Sequence, residues 1–225
     1  DDIERVSGVR PKVAQGQVDG PVVVLGTAGQ SSLVDDVDAL AGKWETFRIK
    51  TSRDKIEVTG SDPRGLAYGV FHISEAIGVS PWYWWADVPV KQNANVKYGE
   101  NFISDEPSVK YRGVFINDED WGLKTWSERN FEKDLGDIGP KTYDKVCELL
   151  LRLKANMLAP AMHTCTGAFY SHPDSQVAAD KWGIMITTSH CEPLLFNNAA
   201  PSEWDSARDG EWNYITNGET IVKKL

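Results

Sequence analysis

Up to about residue 105 the apolar positions fall into short runs with two different periods. Ile3-Glu4-Arg5-Val6-Ser7-Gly8 has the spacing of the closing turns of an amphipathic helix with a glycine cap, so an element is expected to start before Asp1. Residues 21–26 form an apolar run closed by glycine, the pattern of a buried strand. Residues 31–36 are expected to open a short helix. Residues 44–50 and 55–59 alternate polar and apolar side chains around Asp54, which predicts an antiparallel hairpin with one buried face. A helix is predicted over 62–78, where Asp62 can cap it, Pro63 suits its first turn and Gly78 can end it. Leu66, Val70, Ile73 and Ile77 share one of its faces, and Gly65 and Gly69 would let it lie close to a sheet. Residues 92–107 are polar, hold several Asn, and read as a linker.

After the linker the pattern changes to apolar strands alternating with helices. Strands are expected at 114–116, 156–162 and 184–188, and helices at 143–154 and 177–182, with a further helix opening near 219. In the first of these helices Tyr143, Val146, Cys147, Leu150 and Leu153 follow the spacing of one buried face. Continuous apolar strands separated by helices predict a parallel sheet buried on both faces. The fold class is therefore α/β: a small N-terminal α/β domain over 1–105, then an incomplete (β/α)8 barrel over 106–225. A doubly wound sheet would give the same pattern, and a complete barrel needs about 250 residues.

Charge narrows the partners. With 24 Lys+Arg against 33 Asp+Glu the formal net charge is −9, which argues against nucleic acid as a partner. No apolar run approaches the ~20 residues of a membrane span, and no signal peptide is visible at Asp1. The three cysteines, Cys147, Cys165 and Cys191, form neither a CxxC pair nor a disulfide framework. Nine tryptophans stand out, with Trp82, Trp84 and Trp85 in one heptapeptide. Indole rings stack on the flat faces of sugars, and they also fill cores.

In barrels and open parallel sheets the site lies beyond the carboxyl ends of the strands. Here those positions hold Asn117, Asp118, Glu119, Asp120 and Trp121, then His163, then His190, Glu192 and Asn197. Carboxylates suit glycoside hydrolysis, which makes Asp118, Glu119, Asp120 and Glu192 candidate catalytic groups. Each of them could equally cap a turn or face solvent, and each His could be a satisfied loop residue. Two rival chemistries use the same places. His163, His190 and Glu192 could hold a metal, although no HxH or HExxH spacing supports it, so no metal or cofactor is expected. Cys165 or Cys191 could pair with a His as a nucleophile, although nothing local marks either thiol as activated. Gly26-Thr27-Ala28-Gly29 lacks the phosphate-binding fingerprint and reads as a plain strand-to-helix turn.

Four stretches are together familiar: Asp62-Pro63-Arg64-Gly65 with Tyr68-Gly69; residues 78–89 around Trp82-Tyr83-Trp84-Trp85; Tyr111-Arg112-Gly113-Val114-Phe115-Ile116-Asn117-Asp118-Glu119-Asp120-Trp121-Gly122; and Thr188-Ser189-His190-Cys191-Glu192-Pro193. The chain resembles glycoside hydrolase family 115, whose members are inverting xylan α-1,2-glucuronidases. The resemblance implies that Asn117, Asp118, His163, His190 and Glu192 line a sugar pocket, with Trp121 and Asn197 as further contacts. It implies glucuronoxylan or its oligosaccharides as the partner, a secreted or periplasmic location, and a homodimer as an expectation for the full-length form. Inversion needs two carboxyl groups about 6.5–9.5 Å apart. Neighbours within 118–120 would not supply both, so one is expected on a later strand and these residues alone are expected to be inactive. A cation should meet the uronate, with Arg112, Lys124, Lys141 and Arg208 as candidates. The alternatives are a non-catalytic carbohydrate-binding domain built on Trp82, Trp84 and Trp85, and a barrel glycosidase of other specificity.

Overall fold

Glycines and short polar side chains set the ends of most elements in the computed structural model. It describes every residue except 17, 36, 118, 189–193 and 195, and the backbone alone of residue 119. The chain divides into two compact units, residues 1–110 with 151–154, and residues 111–150 with 155–225.

The first unit opens with helix α1 (Asp2–Ser7), stopped by Gly8 in the left-handed region at φ 76°. A four-stranded mixed sheet follows, in the order β1 (Val22–Thr27), β3 (Lys55–Gly60), β2 (Phe47–Thr51), β4 (Phe102–Ile103). β1 runs parallel to β3, while β2 is antiparallel to both β3 and β4. Strand β4 lies inside the stretch read as a linker, and its Ile103 pairs with Arg48, so that stretch contributes to the sheet.

Helix α2 (Pro63–Ala76) is capped by Asp62, whose carboxylate accepts from Gly65 N at 2.7 Å. Its buried face is Gly65, Tyr68, Gly69 and Ile73, rotated from the predicted face of Leu66, Val70, Ile73 and Ile77. Backbone approach decides this, because a Cβ on Gly65 would lie 2.3 Å from Thr46 O and one on Gly69 2.5 Å from Val58 Cγ1. The two small residues therefore meet the sheet, and the bulkier Leu66 and Val70 flank the contact. The helix expected over 31–36 is not formed among the described residues. Ser31 instead accepts from Leu33 N at 3.3 Å, a local bond that competes with helix, and a single 3₁₀ turn follows at Asp38–Leu40.

The second unit is built on a parallel sheet ordered β5 (Gly113–Phe115), β6 (Met157–Ala159), β7 (Met185–Ile186). Helices α4 (Pro140–Arg152) and α5 (Pro173–Trp182) supply the crossovers. Tyr143, Cys147 and Leu150 are fully buried, and Tyr143 meets Phe169 edge to face at 4.9 Å. Leu158 of β6 has no accessible surface, whereas Val114 and Phe115 of β5 are 47% and 45% exposed. The expectation of strands buried on both faces therefore holds for β6 and not for β5, which among the described residues pairs with β6 alone. The strand expected over 156–162 pairs over only three residues, although Ala161 and Met162 beyond it are buried. The chain closes with α6 (Ser206–Asp209) and α7 (Tyr214–Lys224). Among the described residues no helix is long and apolar enough to cross a membrane.

A further element has no counterpart in the sequence pattern. Residues 119–131 are helical, with α3 (Lys124–Trp126) between two wide π turns, Glu119–Leu123 and Ser127–Phe131. Such turns re-aim side chains and are common beside functional sites. The segment ends at Glu132, which is 4% exposed and whose carboxylate accepts from Gly139 N, Lys141 N, Thr142 N and Thr142 Oγ1 at 2.5–3.2 Å. The three backbone N–H groups are unpaired donors of the α4 N-terminus, where a negative charge is stabilised.

Candidate functional site

The segment after β5 and the loop after β6 bring three donor-bearing side chains together. Asp120 Oδ1 lies 2.6 Å from His163 Nδ1, and the Cys165 thiol donates to the same oxygen at 2.7 Å. Asp120 is held below its usual carboxylate range, first by the Cys165 hydrogen bond, against a desolvation that would raise it, and then by the bond and charge of His163. It is therefore a standing acceptor, and a carboxylate whose proton is this easily lost is a poor general acid. The Cys165 thiol and His163 Nδ1 thus both face this one carboxylate oxygen.

Buried polar groups fix the turn that carries His163 and Cys165. Thr166 N donates to His163 O at 3.0 Å and closes the turn. Asn197 has no accessible surface; its amide donates to His163 O at 3.1 Å, while its carbonyl oxygen accepts from Ala199 N and Ala200 N at 3.1 Å. Asn197 was expected to contact sugar, but the structure places it beneath the surface as a clasp between the two loops. Glu203 repeats the tie, accepting from Ala168 N at 3.2 Å and Asn197 N at 2.8 Å. Asp137 holds the far end, accepting from Gly167 N and meeting His172 Nε2, both at 2.9 Å. Gly167 packs closely there, since a Cβ would lie 2.6 Å from Ser171 Oγ and 2.9 Å from Asp137 Oδ2, so one of these side chains would have to shift.

The other candidates separate. Trp121 follows Asp120 in the wide turn and is 83% exposed, and Asn117 is exposed at the end of β5. Asp118, His190 and Glu192 lie outside the described residues, as does the Glu119 side chain. Of the candidate cations, Lys124 pairs with Glu128 at 2.5 Å and Arg208 with Asp209 at 2.6 Å. Lys141 is exposed in the first turn of α4, and Arg112 N donates to Asn156 Oδ1 at 2.9 Å. In the first unit, Trp84 and Trp85 stand edge to face at 83°, and only Trp82 of the three is exposed, at 45%. Crossed rings do not make the flat platform that the binding-domain alternative requires.

Asp137, Glu203 and Glu132 position the site and were not singled out from sequence. Each acts through backbone N–H groups, which leave no motif. The profile of glycosyl hydrolase family 115 matches residues 104–225. No curated protein matches the chain. Among solved structures, it is similar to BtGH115A, a family 115 4-O-methyl-α-glucuronidase with specificity for decorated arabinogalactans. The identity is 38% with a TM-score of 0.81, covering 99% of this chain and 30% of that one. A family 20 β-N-acetylglucosaminidase matches at 17% identity, TM-score 0.46, over 85% of this chain and 35% of its own.

Proposed function

Because the chain belongs to glycosyl hydrolase family 115, we propose that the protein carrying it is an α-glucuronidase that removes 4-O-methylglucuronic acid or glucuronic acid from a plant polysaccharide. The observation that carries this reading is the 38% identity over 99% of the chain to a 4-O-methyl-α-glucuronidase. Strands β5, β6 and β7 are then the first three of a (β/α)8 barrel, and their carboxyl-end loops form part of the sugar pocket. Asp120 acts as the positioning residue that orients the His163 ring, and Trp121 offers an apolar face to a sugar ring. Inversion requires a second carboxyl group about 6.5–9.5 Å from the first. Asp118, Glu119 and Glu192 remain the candidates within these residues, with a partner on a later strand. We place the protein outside the cytoplasm, with the full-length form a homodimer.

Glucuronoxylan is the substrate the sequence motifs suggest, while the similar structure's specificity for decorated arabinogalactans favours a second backbone. Both present the same terminal sugar, so the reading commits to the uronic acid first. Release of 4-O-methylglucuronic acid by the full-length protein is measured on both polysaccharides, with proton NMR of the product's anomeric form. Release from either, with inverted configuration, supports the proposal. No release from both would end it. The 225 residues alone are expected to give no turnover.

A further inference from the structure

We propose that Asp120, His163 and Cys165 form a binding site for a divalent cation of the zinc class. A carboxylate oxygen, an imidazole nitrogen and a thiol sulfur lie within 4.8 Å of one another. Oxygen, nitrogen and sulfur are the three donor types zinc accepts, at bonds of ~2.0–2.3 Å, which in a tetrahedron puts donors roughly 3.3–3.8 Å apart. The Asp120–His163 and Asp120–Cys165 separations are 2.6 and 2.7 Å because protons now occupy them. Replacing those protons by one ion asks each pair to spread by about 1 Å, a small side-chain rotation. The turn needs no further ordering, since Thr166 N and the buried Asn197 amide already hold His163 O at 3.0 and 3.1 Å.

The charge balance is simple. The thiol loses its proton to solvent as the sulfur–metal bond forms, and the proton between His163 Nδ1 and Asp120 also leaves to solvent, so that His163, protonated at Nε2, offers its Nδ1 lone pair to the ion. The ion's charge drives the thiol deprotonation that Asp120 alone opposes. Hard cations prefer all-oxygen shells and should be refused.

The test uses cobalt(II) as a spectroscopic stand-in for zinc, titrated into the full-length protein in a Cys191→Ser background. Thiolate-to-cobalt charge-transfer absorption is the readout. Cys147 does not compete, being fully buried with its thiol pushed up to about 12 by desolvation. The expected result is a band that zinc removes and excess magnesium does not. Cys165→Ser should abolish it, and both His163→Ala and Asp120→Asn should weaken zinc binding by at least roughly tenfold, with circular dichroism unchanged. A protein with no band, a band that survives Cys165→Ser, or zinc binding unaltered in the other two variants would overturn the site.

Discussion

Asn197 illustrates how much one amide can hold. Its oxygen stops a turn at Ala199 and Ala200 while its nitrogen reaches His163 O across the neighbouring loop. Asn197→Ala leaves these buried groups unsatisfied and should cost about 1–3 kcal/mol, read from denaturant unfolding. Asp144 gives a pH-dependent counterpart. Burial alone would raise its pKa, but the Lys181 bond at 2.7 Å, the Trp182 indole at 2.8 Å and the Lys181 charge hold it below 3.8. A depressed carboxylate stabilises the fold above its unfolded value and loses that contribution as pH falls through its folded value. The α4–α5 tie should therefore be intact above 3.8 and weaken only at more acidic pH, and Asp144→Asn should flatten Tm against pH in that range. Sequence position alone singled out Asp120 and His163 as strand-tip residues. Their pairing across 43 positions could not be read there, because a carboxylate at a strand tip has the same letter whether it binds sugar, solvent or imidazole.

At the scale of elements, α2 was legible because its punctuation is local: an Asp cap, a proline in the first turn and glycines at the contact. Its buried face was not legible, since hydrophobic periodicity cannot register a helix that presses its smallest residues on the sheet. Gly65→Ala tests this directly. With Thr46 O only 2.3 Å from the added Cβ, the helix must lift, and a loss of about 1–3 kcal/mol is expected. Gly99→Ala, where nothing lies within 4 Å of the added Cβ, should be nearly neutral. The wide-turned helix at 119–131 escaped prediction for another reason. Its placement depends on Ser127 Oγ, which donates to Asp137 O at 2.8 Å, and on Glu132 at the start of α4. Glu132→Gln keeps the shape but removes the charge facing the helix N-terminus, and should cost about 1–2 kcal/mol with a lowered Tm.

Across the molecule, the α/β character was readable because strands and helices alternate in the second unit and a hairpin opens the first. Strand lengths were not, since a ladder extends only as far as its neighbours, and β7 offers two residues to β6. The central position of β6 has a measurable result: amides of 157–159, with a strand on each side, should exchange more slowly with deuterium than those of 113–115. The clasp between the loops that follow β6 and β7 also limits how this architecture can be re-engineered. The two loops form one transplantable piece, because Asn197 and Glu203 on the later loop supply the floor of the earlier one. A graft of residues 163–168 into another scaffold would arrive without that floor and lose the shape that aims His163. A library that varies either loop alone should yield mostly misfolded tips, whereas one that exchanges both together keeps the joinery intact.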